Sequence, residues 1–341
     1  MADSSAPPRL RVLILDLLVE RAEFGHGGNL EVLRPLVAKG GEIECLLLTP
    51  QVQSSEVGER AAKKATEGMI LLSEEDVPDW DDDFPFWTAC REQLDDGMVD
   101  FRRIAMPVWP ESDSDASADA NTGASEGSGE GSGEITDMDS WLAMISPDAV
   151  VCTGSRRNVS EWENWMDSCA AVMEASIKSL VPTLGICFGH QLLCKALGGK
   201  ISRADKRSDA IHQLSLTESG IIDPLFTPPI SAVGSDGKWT TENTPTALFT
   251  HQDHVVESPD NCILLATAPH NQHVAVRVAD SDGLRLPAWG VQFHPEASKS
   301  RIRRSFELGH ISEQEMNAFE GEHDGAAILA NFAEVVYSLK C

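Results

Sequence analysis

Positive charge is scarce in this sequence. Its 341 residues include 27 lysines and arginines against 54 aspartates and glutamates, a formal net charge of −27. Nucleic-acid binding needs a basic surface that neutralises phosphates, and a chain this acidic repels them. We therefore expect no nucleic-acid partner. Hydrophobic residues make up 42% of the chain, which is enough for a globular core.

Long apolar runs are also lacking. No stretch reaches the roughly eighteen consecutive apolar residues of a membrane-spanning helix. The first 20 residues have no basic region ahead of their short apolar run, so we expect no signal peptide. We predict a cytoplasmic protein that makes no contact with a membrane.

The 8 cysteines include no CxxC pair, which disfavours a structural zinc site. Their irregular spacing favours reduced thiols over disulfides. Cys194 follows Cys187 by two helical turns, about 10 Å at the usual rise per residue, which is too far for a disulfide. We expect Cys194 and Cys152 to lie in the core.

Residues 111–134 contain no aromatic or large aliphatic side chain. Ordering such a segment costs backbone entropy with nothing to bury, so we predict a disordered acidic insertion. We place it in a surface loop of a single domain that spans residues 1–341. A docking site for a basic partner is the alternative interpretation.

Apolar runs alternate with helical patterns along the chain. A strand at 10–19, a helix at 28–41 and a strand at 42–50 favour a parallel sheet with a crossover helix. A strand followed by a helix recurs at 181–199, and a last helix is predicted at 325–339. The predicted fold class is α/β: a mostly parallel, flavodoxin-like sheet flanked by helices.

The segment "GICFG" places Cys187 between two glycines where a strand runs directly into a helix. This is the pattern of a nucleophile elbow with cysteine in place of serine, because Gly185 and Gly189 avoid clashes at the sharp turn. The turn exposes the sulfur at the carboxyl edge of the sheet, and the helix N-terminus favours the thiolate. An inert buried cysteine in a tight turn is the alternative.

A thiolate needs a base, and "GVQFHPE" supplies His294 and Glu296 at the end of an apolar strand. Residues i and i+2 of an extended chain point to the same side, so the carboxylate can orient the imidazole. With Cys187 they make a nucleophile, base and orienting residue.

An acyl-transfer site also needs donors for an oxyanion. Gly154 and Ser155 end another predicted strand, "VVCTGS", where exposed N–H groups can face the elbow. The N–H of Phe188, which follows the nucleophile, is the expected second donor.

The segments "TGSRRNVSEWENW", "GICFGHQLLCKALGGKI", "HQDHV" and "GVQFHPE" resemble, in this order, the triad-type class I glutamine amidotransferase domain. The resemblance is greatest to the stand-alone subgroup related to the amidotransferase domain of GMP synthase. It covers roughly residues 145–300, and 10–50 only as generic first strands. It implies Cys187 as nucleophile, His294 as general base and acid, and Glu296 as orienting residue. The residues that it implies for the pocket of the glutamine amino-acid moiety are Gln191, His251, Gln252 and Asp253.

The resemblance implies a reaction without metal or organic cofactor. The sequence departs from the family at Ala210, where glycine is common, and in the extra segments 111–134 and 300–325. These departures bear on the substrate more than on the chemistry.

Three functions remain compatible with these residues. The first is a glutaminase-type amidotransferase that passes ammonia to a synthetase partner in trans. The second is a stand-alone γ-glutamyl peptidase, which would use the same residues on a larger leaving group. The third is a non-catalytic binding protein, which the complete Cys–His–Glu set disfavours.

Two other clusters have alternative interpretations. His251, Asp253 and His254 resemble metal ligands, but no convincing third ligand motif accompanies them, so a metal site is disfavoured and a polar loop at a strand end is the alternative for His254. Residues 299–304 carry four cations, which indicate a solvated helix face, with a phosphate or acidic partner as the alternative.

Overall fold

The computed structural model describes residues 9–18, 25–51, 70–71, 99–107, 135, 137–228 and 244–340. The predicted insertion at 111–134 lies outside the described residues. The strands are β1 (Leu10–Leu15), β2 (Ile43–Leu48), β3 (Ile70–Leu71), β4 (Val99–Ala105), β5 (Ala149–Cys152), β6 (Thr183–Ile186), β7 (Lys200–Gln213), β8 (Ser215–Leu216), β9 (Thr246–Glu257), β10 (Cys262–Ala268), β11 (Asn271–Ala279) and β12 (Arg285–Val291). The helices are α1 (His26–Ala38), α2 (Met138–Ile145), α3 (Trp165–Lys178), α4 (Phe188–Ala196), α5 (Glu218–Ile221), α6 (Lys299–Glu307), α7 (Glu313–Ala318) and α8 (Gly325–Lys340).

Ten of the described strands form one sheet, in the order β3-β4-β2-β1-β5-β6-β12-β11-β10-β8. Along this order, the neighbours β4, β2, β1, β5, β6 and β12 pair in parallel. The pair β3 with β4 at one end, and the pairs that join β12, β11, β10 and β8 at the other, are antiparallel. The mostly parallel sheet flanked by helices confirms the predicted fold class. The direction of strand addition reverses between β1 and β5, and ligands of open α/β sheets usually bind outside the carboxyl ends of strands near such a point.

The parallel strands read as continuous apolar runs because helices cover both faces of the sheet. Along β1, Val12 and Ile14 pack in a core layer with α1 and α8. Leu13 and Leu15 point the other way and pack in a second layer with α2, α3 and α4. The period-two alternation of one strand thus supplies both layers.

A separate two-stranded antiparallel ribbon, β7 with β9, stands beside the main sheet. The sequence predicts a strand only at the end of β7, because residues 200–210 are polar. They form a strand nevertheless, since much of β7 is exposed to solvent and needs no apolar face. Strand β9 carries residues 250–253 to the carboxyl edge of the main sheet.

The segment 300–325 forms most of α6 and all of α7, the latter with a capping box at its start. Arg301 differs from the solvated face predicted for 299–304. Its side chain is largely buried and donates to Glu31 of α1 at 3.2 Å. Among the described helices, none is long and apolar enough to cross a membrane.

Candidate active site

A single residue, Cys187, joins β6 to α4. Its φ is +51°, a value rare outside glycine that costs about 1–2 kcal/mol. A Cβ on Gly185 would lie 2.5 Å from the carbonyl oxygen of Gly189, and one on Gly189 would lie 2.3 Å from that of Cys152. Both glycines are therefore required by backbone contact, and the predicted elbow is present.

The Cys187 side chain is only 6% exposed, yet it lines a cavity of about 320 Å³. We call this space the Cys187 cavity. The thiol lies 3.9 Å from the carbonyl oxygen of Thr250. The amide of Gln292 donates to the sulfur at 3.6 Å. The sulfur is thus held by protein groups on one side and open to a small molecule on the other.

The structure brings His294 and Glu296 to the same place. The Nδ1 atom of His294 and Oε1 of Glu296 are 2.8 Å apart, and both side chains are buried. A Cβ on Gly154 would lie 2.9 Å from Cε1 of His294 and 3.9 Å from Cβ of Cys187. A side chain at position 154 would therefore collide with the imidazole, and residues that are distant in the sequence form one cluster.

The pKa of His294 reflects opposing influences. Burial is the largest and lowers the pKa, but the negative charges of Cys187 and Glu296 together raise it well above its ordinary value. Hydrogen bonds with the side chains of Cys187 and Glu296 also raise it, and since Nδ1 is bonded to Glu296, Nε2 is the ring nitrogen left to face the sulfur. The arrangement suits an imidazolium that can deliver a proton from Nε2.

Two of the three predicted oxyanion-hole residues flank the elbow directly. Gly154 follows β5 and is buried, and Phe188 begins α4 with its ring stacked 5.7 Å from that of Trp165. Ser155 lines the Cys187 cavity, and its hydroxyl accepts from the N–H of Arg157 at 3.1 Å.

The predicted substrate-binding residues Gln191, His251, Gln252 and Asp253 all line the Cys187 cavity. The Gln191 amide donates to the carbonyl oxygen of Asp253 at 2.6 Å, and the Gln252 amide donates to that of Ala204 at 3.0 Å. One carboxylate oxygen of Asp253 and Nδ1 of His251 are buried without a hydrogen-bond partner in the described chain. Those two atoms are available to a ligand, whereas both amides are engaged within the protein.

Strand alternation separates the residues of the alternative metal site. His251 and Asp253 are buried on one face of β9, and His254 lies on the other. The described part of the chain contains no group of three histidine, cysteine, aspartate or glutamate side chains arranged to hold a metal ion.

Three contacts near the site go beyond the sequence predictions. Gln292 contacts the nucleophile, and a Cβ on Gly28 of α1 would lie 3.1 Å from Cγ of Glu296. Arg207 lines the cavity and donates to the hydroxyl of Thr250 at 2.5 Å. Of these residues, only Gln292 could have been found from the sequence. It lies two residues before His294, and alternation along an extended chain would place both side chains on the same side.

Buried histidines around the site predict acid sensitivity. Burial is the main cause that lowers the pKa of His190 to about 4 and of His251 to about 2. Below pH 6.5 these histidines are protonated in the unfolded chain but stay neutral in the folded protein. The free energy of unfolding therefore decreases as the pH falls towards 4. His294, with its raised pKa, retains its contribution over this range.

We expect the free energy of unfolding in urea to drop by about 2–3 kcal/mol between pH 7 and 5, since each shifted group contributes up to about 1.4 kcal/mol per pH unit. The His190→Asn variant, which lacks one of these two buried imidazoles, should show a shallower dependence. A wild-type stability that is flat over this range would contradict the expectation.

Comparison with known proteins agrees with this geometry. The fold is an α/β sheet with a cysteine, a histidine and a carboxylate gathered at its carboxyl edge. A family model described as "Glutamine amidotransferase class-I" matches residues 133–307, just over half of the chain. The chain therefore belongs to the class I glutamine amidotransferase family, which confirms the resemblance seen in the sequence.

The individual relatives share only about a third of their aligned residues with this chain. One of the subunits of the glutamine-hydrolyzing GMP synthase of Thermococcus kodakarensis is 31% identical over 172 residues, which cover 50% of this chain and 69% of the relative. The glutamine-hydrolyzing GMP synthase of Tolumonas auensis is 30% identical over 153 residues, 45% of this chain but only 26% of the relative. The chain thus spans about a quarter of that longer protein. A solved glutamine amidotransferase from Thermotoga maritima is 14% identical, with a TM-score of 0.49 and coverage of 96% of this chain and 98% of that one.

Proposed function

We propose that this protein hydrolyses the γ-amide of glutamine through Cys187, His294 and Glu296. The observation that carries the proposal is the single cluster in which the His294 side chain interacts with Cys187 and with Glu296, with Gly154 beside the first two. A nucleophile, a proton donor and an orienting carboxylate in contact are the requirements for acyl transfer through a thioester.

In the proposed reaction, the Cys187 thiolate attacks the γ-carbonyl carbon and forms a carbon–sulfur bond. The N–H of Phe188 and the backbone at Gly154–Ser155 stabilise the oxyanion. His294 gives its proton to the departing nitrogen, so the carbon–nitrogen bond breaks and ammonia leaves. Water, deprotonated by His294, then attacks the γ-glutamyl thioester, the carbon–sulfur bond breaks, and glutamate leaves with the Cys187 thiolate and protonated His294 restored.

The amino-acid moiety of glutamine needs partners for its charged groups. We assign the free carboxylate oxygen of Asp253 to the α-ammonium group, because it is buried near the nucleophile without a partner in the described chain. His251 lies beside it, and the internal bonds of Gln191 and Gln252 hold this part of β9 in place.

The destination of the ammonia is inferred from the relatives. Several of them are named as one of the subunits of a GMP synthase, which supports a synthetase partner that receives ammonia in trans. We propose the same arrangement here, in the cytoplasm. The described cysteines are all free thiols, as a reducing compartment requires.

A direct assay tests the proposal. The purified full-length chain is incubated with glutamine and with γ-glutamyl dipeptides, with and without the protein that co-purifies with it, and released ammonia and amino acids are measured. Ammonia release from glutamine, alone or on addition of the partner, supports the proposal. Inertness towards both substrates under both conditions would leave only the non-catalytic function.

A γ-glutamyl peptidase is the second candidate, favoured by one feature of the cavity. Ile311, Glu315 and Phe319 line the Cys187 cavity but lie beyond residues 133–307, the part that matches the family. They add a wall that can contact a leaving group larger than ammonia. Faster cleavage of dipeptides than of glutamine by the protein alone would favour this candidate.

A further inference from the structure

Gln292 is a fully buried polar side chain. It follows directly after β12, its backbone N–H donates to the carbonyl oxygen of Val274, and its side chain has no exposed surface. Burying a carboxamide is costly unless its donors and acceptor are satisfied, so the partners of this amide are informative.

The partners of Gln292 fix the direction of its amide. The Nε2 of Gln191 donates to the carbonyl oxygen of Asp253 at 2.6 Å and to Oε1 of Gln292 at 3.2 Å. A carbonyl oxygen can only accept, so Gln191 must present its NH₂ group to both. Gln292 must then receive this bond through its oxygen and turn its own NH₂ towards the sulfur of Cys187, 3.6 Å away.

We propose that Gln292 is a positioning residue that holds the Cys187 sulfur as an oriented thiolate, with its amide direction set by Gln191. An N–H donor stabilises negative charge on sulfur, and donors to charged groups are stronger than donors to neutral ones. The elbow fixes only the backbone of Cys187, whereas Gln292 restrains the position of the sulfur atom. This inference rests on the proposed function, because it assigns the thiolate a role in attack.

The Gln292→Met variant tests the proposal, since it removes the donor and keeps a similar volume. We expect kcat to fall about ten- to hundredfold with little change in KM, because a hydrogen bond to a charged group is lost and Gln292 is not placed against the substrate. The pH at which half of Cys187 reacts with iodoacetamide should rise by about one unit, since one unit corresponds to a tenfold preference for the thiol. Gln272→Met, at an exposed position of β11, is the matched control and should change neither quantity.

A second variant covers the case in which Gln292→Met does not fold. Gln191→Met leaves Gln292 in place but frees its amide to turn, so the alkylation midpoint should rise in the same direction by a smaller amount. Folding of each variant is checked by circular dichroism and thermal unfolding.

The outcomes separate this inference from the proposed function. If the wild type hydrolyses glutamine and Gln292→Met keeps its kcat and alkylation midpoint, the inference is overturned and the function stands. If the wild type is inactive on every substrate, the proposed function fails. An unchanged midpoint in the folded variants then overturns the inference too, whereas a raised midpoint still supports the contact between Gln292 and the thiolate.

Discussion

Replacing Cys187 by alanine is expected to lower glutamine hydrolysis at least about 10⁴-fold, because removal of a nucleophile leaves only binding and oxyanion stabilisation. The fold should survive. Alanine deletes one sulfur atom, which lies 3.6 Å from the Gln292 amide and 3.9 Å from the Thr250 carbonyl oxygen, and leaves the backbone of the elbow in place. The expected change in the free energy of unfolding is below about 1 kcal/mol. A loss of activity with an unchanged urea midpoint would therefore be a loss of chemistry.

Cys194→Ala is the control for this prediction. Cys194 lies on α4, the helix that follows Cys187, and it is fully buried against Val255 and Val276. Its replacement should therefore reduce the free energy of unfolding and leave activity nearly intact. Mass spectrometry of the wild type after brief exposure to substrate should find a γ-glutamyl adduct on Cys187. If Cys187→Ala retains more than a few per cent of the wild-type rate, the thioester mechanism is wrong.

The parts of the site that the sequence could predict are local patterns. The elbow is readable because strand, glycine, cysteine, glycine and helix follow one another within nine residues of chain, 183–191. The sequence predicts that His294 and Glu296 meet, because side chains of an extended chain repeat every two residues. In the structure they meet across a turn, in which the N–H of Ala297 donates to the carbonyl oxygen of His294. The strand order could not be read in the same way, but the alternation of strands and helices was enough to predict a parallel sheet.

The parts that could not be predicted depend on contacts across the fold. Nothing in the first helix indicates that Gly28 packs against Glu296, because the two are separated by most of the chain. The polar sequence of β7 does not indicate a strand, because this strand is stabilised mainly by its pairing with β9. The same holds for Ile311 and Phe319, whose place on the cavity wall follows from the position of α7 and not from any motif.

Replacing Gly189 by alanine should cause a large loss of stability, although local helix propensity predicts a gain. Alanine favours a helix over glycine by about 1 kcal/mol. Gly189, however, lies in the first turn of α4, where an added Cβ would be 2.3 Å from the carbonyl oxygen of Cys152 and 2.9 Å from its Cβ. The obstacle is the backbone of a buried central strand, which cannot move as a side chain can. Overpacking of this kind costs about 3 kcal/mol or more, so the steric effect should dominate.

Relief of the clash would push α4 away from β5 and displace the N–H of Phe188 and the sulfur of Cys187. Hydrolysis should therefore fall together with the urea unfolding free energy. Gly198→Ala separates this packing effect from backbone strain, since Gly198 has a φ of +95° and no atom within 4 Å of an added Cβ. It should cost only about 1–2 kcal/mol and preserve activity. If Gly189→Ala proved no more damaging than Gly198→Ala, close contact between the elbow and β5 would not be what holds the nucleophile in place.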